Sequence, residues 1–61
     1  MKVGDVIYDH WINMKGIIVE TYVQPPSMQF REECLMLLTL YEDSSISYAE
    51  AGDVEVIIES R

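Results

Sequence analysis

Five short runs of apolar and β-branched residues, separated by turn-forming clusters, constrain this chain more than any other feature. The first two runs are Val3-Gly4-Asp5-Val6-Ile7-Tyr8 and Gly16-Ile17-Ile18-Val19-Glu20. A longer apolar run from Leu35 to Tyr41 meets the polar cluster Asp43-Ser44-Ser45. The last run is Asp53-Val54-Glu55-Val56-Ile57-Ile58-Glu59. Strand side chains alternate between faces with a period of two, and these runs carry that period. Val6 and Tyr8 share one face against Asp5 and Ile7, while Val54, Val56 and Ile58 alternate with Glu55, Ile57 and Glu59.

The spacing predicts strands over residues 3–8, 16–23, 34–42, 46–49 and 54–59. Pro25-Pro26 ends the second strand by Gln24, because proline cannot donate to a sheet ladder. Residues 25–33 form the longest irregular stretch and the segment expected to move most. The Leu- and Met-rich run after it also suits a helix over residues 29–40. The upstream prolines and a hairpin pattern over Tyr41-Glu42-Asp43-Ser44-Ser45-Ile46 favour strand. Leu35, Met36, Leu37, Leu38 and Leu40 cover both faces of that strand, which predicts a central strand buried on both sides. Glu50-Ala51-Gly52-Asp53 reads as a short turn, such as one turn of 3₁₀ helix.

With 61 residues the chain makes one domain, residues 1–61. A domain this small buries only about 60% of its unfolded surface, so it needs an efficient core or outside support. Cys34 is the only cysteine, which excludes an intrachain disulfide. It reads as a buried apolar residue or a free thiol in a reducing compartment. One cysteine and one histidine do not supply the ligands of a structural zinc site, so no metal and no cofactor is expected. The apolar fraction of 49% is generous for so short a chain and admits an apolar face buried against a partner, including a homodimer.

Eleven acidic residues against four basic ones give a formal charge of −7. Lys2, Lys15, Arg31 and Arg61 are too few and too scattered to neutralise phosphates, so no direct nucleic-acid binding is expected. Anionic membrane surfaces repel the chain for the same reason. It has no secretory h-region and no apolar run long enough to cross a bilayer, so a soluble, cytoplasmic protein is expected. The same charge favours a protein partner with a basic or basic-apolar surface.

In order and spacing the chain resembles small SH3-like barrels, among them short phage-encoded proteins. The matching residues are Gly4-Asp5-Val6-Ile7, Gly16-Ile17-Ile18-Val19, Tyr41-Glu42-Asp43-Ser44, Tyr48 and Asp53-Val54-Glu55-Val56-Ile57. The match spans nearly the whole chain except residues 24–33. Tyr41 stands where such barrels carry Trp, and Ser44 or Ser45 replaces the hairpin glycine. Serine disfavours the two-residue primed turn, which needs positive φ, so a longer turn is expected. The expected fold is therefore all-β, a small five-stranded SH3-like barrel that is closed or nearly closed, hiding its edges. The resemblance implies a habit of binding rather than a reaction.

Catalysis finds little support in the residues. His10 lacks an orienting partner in sequence, since Asp9 points to the other face, and pairing His10 with Cys34 rests on their presence alone. Binding finds more. In SH3-like barrels, aromatics of the first loop and of the third hairpin line one groove, which here points to Trp11 with Tyr8, Tyr41 and Tyr48, beside Asp9, Glu42 and Asp43. Met28 and Phe30 on the long loop supply an adaptable apolar contact. The alternative reading places Tyr8 and Tyr48 in the core and Trp11 over the barrel end. Glu42, Asp43, Glu50, Asp53, Glu55 and Glu59 concentrate acid in the last third of the chain. The resulting expectation is a small acidic protein-interaction module without catalysis, a phage accessory protein that binds and modulates a host protein in the host cytoplasm. Two alternatives accompany it: a structural or decoration subunit, or an acidic nucleic-acid mimic.

Overall fold

The computed structural model describes residues 1–28 and 31–60. It contains β1 (Val6–Asp9), β2 (Met14–Gln24), β3 (Cys34–Tyr41), β4 (Ile46–Glu50), a 3₁₀ turn (Ala51–Asp53) and β5 (Val54–Ile58). The strands pair antiparallel in one sheet of order β4-β3-β2-β1-β5. The all-β class expected from the sequence is thus the observed one. Among the described residues no helix is long and apolar enough to cross a membrane.

Local chemistry moves the strand ends. β1 starts later than the apolar pattern predicts. Gly4 adopts φ 96° and the Asp5 amide donates to the Lys2 carbonyl at 3.1 Å, turning the chain before the ladder begins. β2 starts earlier. Asn13 at φ 55° closes the first hairpin tightly, so Met14 and Lys15 already pair with Asp9 and Tyr8. Asparagine tolerates this left-handed region better than most residues.

The β3–β4 turn is longer than two residues, as its serines require. Tyr41 N donates to Ser45 O at 2.8 Å and Ser44 N to Tyr41 O at 2.9 Å, enclosing a three-residue loop. Ser44 takes the left-handed position at φ 70°. Such a loop asks for one positive φ instead of two. The Asp43 carboxylate accepts from Ser45 N at 3.0 Å and from Ser45 Oγ at 2.5 Å, which holds Asp43 below the usual carboxylate range.

β3 is a strand, but it is not covered on both sides. Leu37, Thr39 and Tyr41 are buried on its inner face, while Met36 and Leu38 are half-buried and Leu40 is exposed on the outer one. The expectation of double cover fails because the chain forms a single sheet, and among the described residues no second layer packs on its outer face. The core is correspondingly small. Ile7, Ile18, Leu37, Ala49 and Val54 form it, with Leu35, Ala51 and Val56 packed against them.

The connection from β4 to β5 dictates the shape. These strands are opposite edges of the sheet, which in a flat five-stranded sheet stand about 19 Å apart. The link from Glu50 to Val54 spans at most about 14 Å even when extended. It is instead wound into a 3₁₀ turn, which rises only about 2 Å per residue. The sheet must therefore coil until its edges approach. Register shifts between Ile18 and Glu20 and opposite Val6 and Ile7 increase the bend. β4 and β5 do not pair, so the coiled sheet stays open and is not a closed barrel.

Asp5 fastens the ends of the chain. Its Oδ1 accepts from Ser60 N at 2.7 Å and its Oδ2 from Lys2 N at 3.1 Å. The Ser60 amide, then the Lys2 amide and charge, lower its pKa against the opposing effect of burial.

Candidate functional site

Coiling carries the β1–β2 loop across to the β4 edge. There Asp9, Trp11, Met36, Tyr48, Glu50 and Asp53 surround a cleft of about 280 Å³ floored by Ala49. Met36 and Tyr48 also border a second depression of about 220 Å³ with Tyr22 and Gln24. The two depressions share Met36 and Tyr48, so the groove they border carries Trp11 in one and Tyr22 in the other.

Trp11 is 82% exposed and Tyr48 57% exposed. These aromatic faces are solvated although the core lacks any tryptophan. Tyr48 points outward because β4 alternates: Ala49 is buried against Leu37 and its register neighbour Tyr48 faces the other way, opposite Leu38. Trp11 is held by its backbone. Its amide donates to Asp9 Oδ1 at 2.9 Å, while Asp9 Oδ2 accepts from the Tyr41 hydroxyl at 2.7 Å. The His10 amide donates to the Asp53 carbonyl at 3.2 Å, tying the same loop to the 3₁₀ turn.

Electrostatically the groove is one-sided. Asp9, Glu50 and Asp53 line it, and among the described residues no basic side chain does. Aromatic faces beside carboxylates in a partly dry cleft attract a cation through ring quadrupole and charge together.

The sequence-predicted residues separate in space. Trp11 belongs to the groove. Tyr41 is 3% exposed and lies behind it, supporting Asp9 with a hydroxyl whose pKa is pushed up to about 12, first by burial and then by the Asp9 carboxylate. Glu42 and Asp43 are exposed in the β3–β4 turn, six or more residues along β3 from Met36, which is about 20 Å of strand. Met28 is fully exposed, and Phe30 lies outside the described residues.

Sequence gives no sign that Met36 joins Glu50 and Asp53 at this cleft, since they lie on β3, β4 and the 3₁₀ turn. Tyr48, one of the aromatics the sequence offers for a groove, lines it with Trp11 rather than the core, and the alternation of Ile46 and Tyr48 against buried Ala49 carries that signal.

His10 and Cys34 occupy separate surroundings. His10 Nε2 lies 3.2 Å from Glu55 Oε2 and its ring meets Tyr8 edge-on at 4.9 Å, with both His10 and Glu55 exposed. Cys34 is half-buried and its Sγ donates to the Glu32 carbonyl at 3.7 Å. Burial, then the charges of Glu50 and Glu32, raise its pKa and disfavour the thiolate. Among the described residues no group of three or more His, Cys, Asp and Glu side chains is placed to hold a metal ion.

No protein-family model matches this chain, and comparison with curated proteins and with solved structures finds no significant match.

Proposed function

We propose that this protein is a non-catalytic interaction module whose groove between Trp11 and Tyr48 takes a basic segment of another protein. The observation that carries this reading is the solvated Trp11 beside Tyr48, with Asp9, Glu50 and Asp53 as the charged groups lining the cleft among the described residues. Exposed aromatic anchors contribute most where they are buried on binding, and uniform acid selects Lys and Arg. The resemblance to SH3-like barrels supports a peptide-binding role, and its phage-encoded members support an accessory protein that modulates a host protein in the host cytoplasm. A structural subunit of a larger assembly is the second reading, favoured by the apolar outer face of the sheet.

Trp11 is the sole tryptophan, so its fluorescence reports the groove directly. Titration with short proline-containing peptides bearing Lys or Arg should shift that emission, and the matched Glu-bearing peptides should not. Trp11→Ala should weaken binding followed by peptide anisotropy at least tenfold, and Asp53→Lys should weaken it similarly. Equal binding by Trp11→Ala and the parent would overturn this reading.

A further inference from the structure

β4 is one edge of the open sheet, and the cleft beside Trp11 follows that edge. Tyr48, Ala49 and Glu50 are consecutive, and all three line it. Strand side chains alternate between faces, so three successive residues border one cavity where it lies against the strand's unpaired side. The other lining residues include Asp9, Trp11 and Asp53, which the bond from the His10 amide to the Asp53 carbonyl holds together.

The register fixes which main-chain groups point into the cleft. In an antiparallel ladder, pairs that exchange hydrogen bonds alternate with pairs that do not. Tyr41 N donates to Ser45 O at 2.8 Å, which sets the alternation at the turn. Thr39–Ser47 and Leu37–Ala49 are then bonded pairs, and Leu40–Ile46, Leu38–Tyr48 and Met36–Glu50 are the others. The amides of Ile46, Tyr48 and Glu50 and the carbonyls of Ile46 and Tyr48 therefore face away from β3. The Tyr48 carbonyl accepts at 3.4 Å from the neighbouring Ser47 hydroxyl, a long contact that leaves its second lone pair open. β4 carries neither lysine nor proline, the residues that commonly blunt such an edge.

We propose that a basic segment of another protein binds here as an added β-strand, extending the sheet past β4 into the gap between its two edges. This rests on the reading of the groove as a site for basic peptide, and adds the ligand's conformation and the source of its affinity. Main-chain bonds to Tyr48 and Glu50 hold the strand, and pockets for alternate side chains select it. Charge identifies the occupant. Lys or Arg at alternate positions meets the carboxylates of Asp9, Glu50 and Asp53, while Trp11 and Tyr48 cover the aliphatic stem. A second copy of this chain does not fit, because its own edge strands carry Glu50 and Glu55 and no cation.

The test uses the full chain and a short acetylated peptide alternating Lys and Thr, followed by amide hydrogen exchange and Trp11 emission. In the free protein, exchange should be fast at Tyr48 and Glu50 and slow at Ser47 and Ala49, whose amides bond to β3. Saturating peptide should slow Tyr48 and Glu50 about tenfold or more. Two further peptides are N-methylated, one on every Lys amide and the other on every Thr amide. One should bind as the parent peptide does and the other about tenfold more weakly, since alternate amides of a strand point to opposite sides. A Trp11 shift without slower exchange at Tyr48 and Glu50, or equal affinity of the two methylated peptides, overturns strand addition and leaves the basic-peptide reading standing. Neither a Trp11 shift nor slower exchange at any peptide concentration overturns both.

Discussion

The Tyr41 hydroxyl donates to Asp9 Oδ2 at 2.7 Å, joining β3 to the end of β1 across the intervening strand β2. Because Asp9 Oδ1 holds the Trp11 amide, this buried bond connects the core to the exposed tip of the groove. Tyr41→Phe should cost about 1–3 kcal/mol in denaturant unfolding, since it leaves a carboxylate oxygen without its partner.

The same bond sets an alkaline limit. Folding raises the Tyr41 pKa from 10.0 to about 12, so the folded state retains the phenol proton that the unfolded chain releases. The associated stability is complete below pH 10 and is lost as pH rises toward 12. Unfolding melts across this window should fall with pH in the parent, and Tyr41→Phe should remove that component of the slope.

Asp5 sets the acid limit with the opposite sign. Its folded pKa is lowered from 3.8, chiefly by the Ser60 amide, so its contribution is present above that value and declines as pH falls below it. Asp5→Asn should flatten the acid side of the stability profile and increase hydrogen exchange at Ser60. An unchanged Ser60 exchange rate would show that the clamp does not hold the C-terminal residues.

Adjacent residues on β3 should respond differently to the same substitution. Leu37 is 0% exposed, so Leu37→Asp buries a charge without a partner and should unfold the domain, a loss above about 4 kcal/mol. Leu38 faces outward, and Leu38→Asp should leave a folded chain with a loss of about 1–2 kcal/mol. Thermal melts of the two variants separate a one-sided sheet from a doubly covered one.

Two backbone positions should move stability in opposite directions. A Cβ at Gly16 would lie 2.5 Å from Thr39 Cγ2 and 3.0 Å from the Leu40 carbonyl oxygen, so Gly16→Ala should cost about 1–3 kcal/mol. Ser44 holds a left-handed conformation at φ 70°, and Ser44→Gly should raise stability by about 0.5–1 kcal/mol. Urea titrations at neutral pH measure both.

The strands were legible because their signals are local. Period-two alternation located β1 and β5, Pro25-Pro26 marked the end of β2, and the serines of the third hairpin required its longer turn. Both-sided apolarity on β3 misled because composition does not distinguish a face buried in the core from one left apolar at the surface. An apolar row on the outer face, Ile46–Leu40–Ile17–Val6–Ile58, draws one residue from each strand and exists only once the register is set. The groove has the same origin. Trp11 and Tyr48 are far apart in sequence, and the short Glu50–Val54 link brings them together by forcing the sheet to coil. Strand positions, turn type and acidic charge were therefore determined by the sequence alone, since each depends on neighbouring residues or a simple sum. Which apolar faces are buried, and which aromatics share a cleft, was decided by the tertiary structure, because pairing register and sheet curvature arise between distant segments.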